Sequence, residues 1–327
     1  MRVCQNDILV IDVLNRIPGQ SLSIHWRGQH QTETPFMDGV PMVTQCPISS
    51  YTTFQYRFRA STPGTHIYHS HSGSETADGI FGALIVRQSD RVDVQRKLYD
   101  IDSGDHVILI SEWAKVLSTD PLGETDVPNS ILINGRSRGQ EFHVKQGKRY
   151  RFRVAYTGGV SSCPISMKIE RHFMKVIALD GNPSYSYEAS SIVFGKGERL
   201  DFVLSTKQDV GDYGLVVKST CNESLWSSAL IKYSSKYDGD ISTRKNSGNY
   251  NGEEEPGRTF STNVCQSVLG SVCITDVHAL KKMSKALAVH DVDKTIYLPF
   301  DYKLSPNQKH STYFSFFFRF IHVLSNK

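Results

Sequence analysis

The 327-residue chain lacks the features that mark several common classes of protein. Its formal net charge is only +4, and Arg149, Arg151 and Arg153 alternate along a strand-like segment in the pattern of a solvated face. A nucleic-acid-binding domain usually concentrates basic residues in one patch. No stretch is apolar and long enough to cross a bilayer as a helix. We therefore predict no nucleic-acid partner and no membrane span.

Cysteine is scarce, and none of the six cysteines stands in a Cys-x-x-Cys pair, which argues against a structural zinc site. An even number spread over strand-like segments is typical of disulfides formed in an oxidising compartment. The sequon Asn222-Glu223-Ser224 gives weak further support for a secreted glycoprotein. The sequence does not fix the pairing; the bridges we expect are Cys4 with Cys46, Cys163 with Cys221, and Cys265 with Cys273.

A signal peptide is also missing, because residues 1–7 lead directly into the apolar strand-like residues 8–13. We expect that the start of a longer protein is absent. The aromatic run at residues 313–323 is too short to span a membrane and contains Arg319. We interpret this run as an aberrant or truncated end, with a buried strand and a membrane anchor as the alternatives.

Helical periodicity is absent from most of the chain, and period-two alternation takes its place. Residues 52–60 and 141–155 alternate apolar with polar side chains, and turn residues such as Pro63-Gly64 and Gln146-Gly147 separate the runs. Short strands at regular spacing predict an all-β chain of sandwich or barrel domains.

Changes in this pattern predict two β-domains and part of a third. The boundaries we expect are residues 1–90 for the first domain, 91–105 for a linker, 106–233 for the second domain, 234–290 for a polar linker that includes a short helix near 279–287, and 291–327 for the start of a truncated third domain.

Two strand-like segments carry the histidines of interest. His69 and His71 stand two residues apart, so their side chains project from one face of a strand, whereas His66 has the opposite parity. His25 and Arg27 share a face of another strand in the same way. If the two strands meet, three imidazoles and one guanidinium come together. Imidazole is the commonest zinc and copper ligand, so we predict a metal site at His25, His69 and His71, with exposed strand histidines as the plainer alternative.

These segments resemble the multicopper oxidases, and in particular their insect laccase-like branch. The resemblance covers residues 1–233 and extends more weakly to Tyr302. The segments that carry it are residues 25–28 (His-Trp-Arg-Gly), 34–41, 44–48, 64–73, 78–82 and 133–135. It implies tandem cupredoxin-like Greek-key domains and an extracellular or cell-surface location for the full-length protein.

The resemblance also implies copper as the cofactor. In this family a type 1 copper takes single electrons from phenols, ascorbate-like reductants or ferrous iron. A cluster of one type 2 and two type 3 coppers uses those electrons to reduce O2 to water. Matched position by position, His25 corresponds to a type 2 ligand and His69 and His71 correspond to type 3 ligands.

Two departures from the family pattern limit this expectation. Arg27 stands where the family has a second histidine, and a protonated guanidinium has no lone pair to give to copper. In this family a His-Cys-His motif joins the type 1 site to the type 3 coppers, and here no cysteine is flanked by histidines. The type 1 site and the remaining cluster ligands are therefore missing from this sequence. We predict that the chain alone lacks full oxidase activity. The alternatives are a non-catalytic cupredoxin-fold binding protein and a mononuclear zinc hydrolase or hydratase built on the three histidines.

Overall fold

The computed structural model describes eight parts of the chain: residues 1–72, 75–118, 128–161, 163–235, 259–261, 272–281, 294–298 and 318–323. The regular structure in these parts consists of strands and short 3₁₀ helices, which confirms the all-β prediction. The 3₁₀ helices are Pro35–Met37, Arg96–Leu98, Gly104–His106 and Ile274–Asp276. The chain divides into two compact units, Met1–Leu280 and Lys281–Lys327.

Six strands form a first β-sandwich. They are β1 (Arg2–Cys4), β2 (Ile8–Leu14), β3 (Ile24–Arg27), β4 (Thr53–Arg59), β5 (Gly64–Ser70) and β6 (Phe81–Arg87). One sheet has the order β1-β6-β5-β3, and β2 pairs antiparallel with β4 in the other. The alternation of β4 places Tyr56 and Phe58 inside and Arg57 outside. Both rings pack on the buried Trp26 of β3, so the flanking His25 and Arg27 point to the opposite face.

Thirteen further strands build a second β-sandwich. They are β7 (Val107–Trp113), β8 (Ser130–Ile133), β9 (Gln140–Lys145), β10 (Arg149–Gly158), β11 (Ile165–Ile169), β12 (Met174–Leu179), β13 (Asn182–Ala189), β14 (Ser191–Phe194), β15 (Arg199–Ser205), β16 (Asp212–Ser219), β17 (Trp226–Ser234), β18 (Thr259–Ser261) and β19 (Val272–Cys273). The two sheets have the orders β13-β12-β15-β10-β7-β8 and β19-β18-β14-β11-β16-β17-β9. Buried aromatic and aliphatic side chains from both sheets form its core.

The second unit contains one described pair of strands. β20 (Lys294–Leu298) and β21 (Phe318–Val323) run antiparallel, with Ile296 opposite Ile321. The last six residues of the predicted aromatic run therefore form a strand. The polar linker predicted at 234–290 and the third domain predicted at 291–327 lie largely outside the described residues, as does most of the helix expected near 279–287.

A buried ionic network joins the two sandwiches, and it corrects the expected solvated face of β10. Arg149 is partly exposed, but Arg151 and Arg153 are buried with side-chain exposures of 7% and 3%. Both donate to Asp201 of β15, at 2.5 Å from Arg151 Nη2 and 3.1 Å from Arg153 Nη1. From the first sandwich, Thr65 Oγ1 donates to the other oxygen of Asp201 at 2.5 Å. Alternation predicted correctly that the arginines share a face, but the first sandwich covers that face.

One of the three expected disulfides is confirmed. Cys163 and Cys221 are bridged and tie the segment after β10 to the segment after β16. Cys4 and Cys46 are both free and exposed, so the bridge expected between them was wrong. Cys4 ends β1 at one edge of the four-stranded sheet, whereas Cys46 lies near Ile48, which bridges Leu22 close to β3 at the other edge. Cys265 lies outside the described residues.

Candidate metal centre

Three histidines meet at one end of the first sandwich. β3 and β5 are antiparallel neighbours, and their register sets His25 directly opposite His69. The ring centroids lie 5.5 Å apart for His25 and His69, 5.3 Å for His25 and His71, and 5.9 Å for His69 and His71. His71 follows the end of β5 and is held by its backbone N–H, which donates to Ser23 O at 3.0 Å. The structure therefore brings together the three imidazoles singled out in the sequence.

The hydrogen bonds fix the tautomers of two of these rings. His25 Nδ1 lies 2.8 Å from Asp38 O, and His69 Nδ1 lies 2.7 Å from Ser70 O. A carbonyl oxygen only accepts, so both Nδ1 atoms carry the proton and both Nε2 atoms keep a lone pair. His69 Nε2 is buried and has no hydrogen-bond partner among the described residues. A buried unpartnered imidazole lone pair is a donor suited to a metal ion.

Burial keeps these rings neutral at neutral pH. Loss of hydration lowers the pKa of His69 to about 4, and the positive charge of Arg27 adds to the effect. Burial also lowers the pKa of His25, although the backbone oxygen and the carboxylate of Asp38 act in the opposite direction. A metal ligand must be deprotonated at the coordinating nitrogen, so these shifts favour ligation.

Arg27 projects into the same space as the histidines. With His69, His71, Lys196 and Gly197 it lines a cavity of about 510 Å³ between the two sandwiches. A Cβ built on Gly197, whose φ is +82°, would lie 2.8 Å from Arg27 Cζ. The guanidinium therefore packs directly on the glycine backbone of the hairpin between β14 and β15. The alternation pattern of the strands did not indicate that Lys196 or Gly197 would join this site, because both residues lie in a turn of the second sandwich.

His66 lies apart from this cavity, as its parity indicated. It is fully buried between the sandwiches, where its Nε2 donates to Thr62 O at 3.0 Å. Burial lowers its pKa to about 4, with a further contribution from the positive charge of Arg199. Gly28, with φ of +98°, makes room for the ring, because a Cβ there would lie 2.1 Å from His66 Nδ1. His66 is thus part of the interface that positions β5.

A buried carboxylate of the second sandwich supports the cavity. Glu112 of β7 is almost fully buried, and its two oxygens accept from Ser161 Oγ at 2.5 Å and from Ser161 N at 3.1 Å. These bonds fix the segment that contains the cavity-lining Gly159, whose carbonyl accepts from Lys196 Nζ at 2.7 Å. No pattern in the sequence singled out Glu112, since it is a single acidic residue in an apolar strand.

This architecture defines a class of protein. Two tandem β-sandwiches with a histidine cluster at one end of the first sandwich are the arrangement of cupredoxin-like copper oxidases, and the comparisons with known proteins agree. Family models described as multicopper oxidase match residues 1–91 and 104–236. The chain belongs to the multicopper oxidase family, and this membership implies copper as the cofactor.

Curated relatives place the chain beside enzymes of that family. It is 32% identical over 250 residues to Laccase-3 of Thanatephorus cucumeris, a match that covers 70% of this chain and 43% of the relative. It is 30% identical over 237 residues to the L-ascorbate oxidase of Brassica rapa subsp. pekinensis, covering 62% and 40%. The chain thus spans less than half the length of these relatives.

Solved structures confirm the cupredoxin-like fold. Fet3p, a multicopper oxidase that functions in iron import, superposes with a TM-score of 0.70 at 20% identity, covering 97% of this chain and 57% of that chain. The laccase from Botrytis aclada gives a TM-score of 0.62 at 28% identity, covering 76% and 49%.

The histidine cluster fits copper only in part. The lone pair of His69 and the neutral rings are appropriate donors, and imidazole is a preferred copper ligand. However, within the described residues no three His, Cys, Asp or Glu side chains are grouped around a position for one metal ion. Arg27 adds a fixed positive charge beside the donors and supplies none itself. The donors among the described residues therefore do not complete a site for one metal ion.

No helix among the described residues is long and apolar enough to cross a membrane.

Proposed function

We propose that the chain is part of a copper-dependent oxidoreductase of the laccase and ferroxidase type, from the insect laccase-like branch. Residues 1–90 and 106–233 are its first two cupredoxin-like domains, joined by the linker 91–105, and 291–327 begin a third. The observation that carries the proposal is the cross-strand pair of His25 and His69 with His71 beside it.

In this proposal His25 supplies a type 2 copper ligand, and His69 and His71 supply type 3 ligands. Copper bound there would supply the electron-accepting chemistry that couples oxidation of a small reductant to reduction of O2 to water. The protein's own residues orient the donors: Asp38 O and Ser70 O hold the Nδ1 protons, so each Nε2 lone pair stays available. The proposed reductants are those of the family: phenols, ascorbate-like reductants and ferrous iron.

Arg27 supports the proposal that this chain alone is a poor oxidase. Its guanidinium occupies the wall of the cavity where the family pattern places a histidine, and it cannot ligate copper. No cysteine in the 327 residues has flanking histidines to form the path from a type 1 copper. A non-catalytic cupredoxin-fold binding protein is therefore the second candidate, and Arg27 is the observation that favours it.

Oxygen consumption with a phenol or ferrous iron distinguishes these functions. We expect no turnover by the chain as it stands, because the described residues form no complete cluster and the sequence has no cysteine flanked by histidines. Robust turnover would show that the 327 residues suffice. Arg27→His should raise the copper content of the purified protein, whereas Arg57→His, the same change at an exposed position of β4, should not. Stoichiometric zinc without copper would instead support the hydrolase alternative.

The cysteine pattern supports an extracellular or cell-surface location for the full-length protein. The Cys163–Cys221 bridge needs an oxidising compartment, and the adjacent sequon residue Asn222 is exposed. Expression in a secretory host, with mass measurement before and after glycosidase treatment, tests this location. A glycan that is lost in Asn222→Gln supports the extracellular or cell-surface location. Absence of any glycan from the exposed sequon argues against that location.

A further inference from the structure

Two cations that face the same cavity lack a matching anion. Arg27 comes from β3 of the first sandwich and Lys196 from the hairpin between β14 and β15 of the second. They are close, because the Arg27 guanidinium lies against Gly197, the residue after Lys196. The described residues that line the cavity include no aspartate or glutamate.

The two side chains keep most of their hydrogen-bonding capacity. Lys196 Nζ uses one donor, to Gly159 O at 2.7 Å. The Arg27 backbone pairs with Ile67 in the sheet, but the Arg27 guanidinium makes no hydrogen bond or ion pair among the described residues, and a guanidinium carries five N–H donors. The imidazoles of His69 and His71, which line the same cavity, supply no negative charge.

The neighbouring groups do not neutralise this pair. Arg199, which also lies near Arg27, is paired with Asp180 at 2.9 Å. Glu112 attracts Lys196, but both oxygens of that carboxylate already accept hydrogen bonds from Ser161. Two like charges held side by side repel each other, and an anion between them relieves that repulsion. Arg27 and Lys196 are both exposed, so a ligand from solvent can reach them.

We propose that the cavity between the sandwiches binds an oxyanion of a small molecule, held by the Arg27 guanidinium and the Lys196 ammonium. The guanidinium fork matches two oxygens of a phosphate or carboxylate group, and the ammonium matches a third oxygen or the second group of a dicarboxylate. The cavity volume of about 510 Å³ leaves room for the remainder of an organic acid. This site uses a residue that weakens copper ligation and does not depend on copper being bound.

Calorimetric titration of the copper-free protein in EDTA and low salt tests the proposal, with inorganic phosphate and malonate as the probes. We expect saturable binding of one equivalent of at least one probe. Arg27→His and Lys196→Met should each weaken it by about 10-fold or more, since each removes a charge-assisted contact. Phosphate binding tighter than malonate binding would identify a phosphoryl ligand, and the reverse order would identify an organic acid.

Matched variants at exposed positions of two other strands serve as controls. Arg57→His on β4 and Lys218→Met on β16 remove the same charges away from the cavity and should leave the affinity within about 2-fold of the parent. Absence of saturable binding by the parent protein, or equal weakening in the cavity variants and their controls, would overturn the proposal. Because copper is excluded throughout, the result is independent of the oxidoreductase assignment.

Discussion

Asp201→Asn tests the interface that positions β5 and its histidines. Asp201 is 1% exposed and accepts four hydrogen bonds, from Thr65 Oγ1, from Arg151 Nε and Nη2, and from Arg153 Nη1. The amide keeps the shape of the carboxylate but removes the negative charge and turns one acceptor into a donor. Two buried guanidinium groups then lose their shared counterion. Because Arg151 keeps Asp93 and Arg153 keeps Asp102, we expect a cost of about 3 kcal/mol of unfolding free energy, at the low end for a broken buried pair.

Urea unfolding followed by tryptophan fluorescence measures this loss. With a urea m-value of about 3 kcal/mol/M, the midpoint should fall by about 1 M. The control is Glu188→Gln, which breaks an exposed pair with Lys175 at 3.2 Å and should cost less than about 1 kcal/mol. A midpoint for Asp201→Asn that matches the control would refute the view that this network holds the sandwiches together.

Two further predictions concern stability. The pKa of buried His66 lies at about 4 in the folded protein against about 6.5 when unfolded, so the unfolded chain takes up the proton first as pH falls. The stability that this residue contributes is therefore complete above pH 6.5 and is lost as the pH falls towards 4. Urea midpoints should show that the unfolding free energy falls by about 2 kcal/mol between pH 7 and 4.5, and His66→Gln should abolish this fall. An unchanged pH dependence in His66→Gln would contradict the prediction. Replacing Cys163 and Cys221 by alanine removes a link that spans 58 residues and should lower the unfolding free energy by about 4 kcal/mol. Cys4→Ala, at a free exposed cysteine, should change the urea midpoint little. Equal effects would contradict the structural role of the bridge.

Local alternation explains how much of this molecule could be predicted. The parity rule indicated correctly that β4 buries Tyr56 and Phe58, that His69 and His71 share a face and that His66 does not. It says which side chains share a face, but not what covers that face. The burial of Arg151 and Arg153 was therefore missed, because it depends on the first sandwich, whose Thr65 lies 88 residues from Arg153 in sequence.

Only part of the candidate site could likewise be predicted from the sequence. The motifs predicted the three histidines and the position of Arg27, since these depend on two strands. The strand register that makes His25 and His69 partners needed the structure. So did the contributions of Lys196 and Gly197, which reach the cavity from a turn of the second sandwich, and of Glu112, which supports it through Ser161.

Copper binding by the purified protein tests the central claim most directly. After incubation with excess copper and gel filtration, the parent protein should retain copper, and His69→Ala should lose most of it, because His69 supplies the buried unpartnered nitrogen. His143→Ala removes an exposed histidine of the second sandwich, with a side-chain exposure of 74%, and should retain as much copper as the parent. Equal copper in all three proteins, or none in the parent, would contradict the assignment of His25, His69 and His71 as copper ligands.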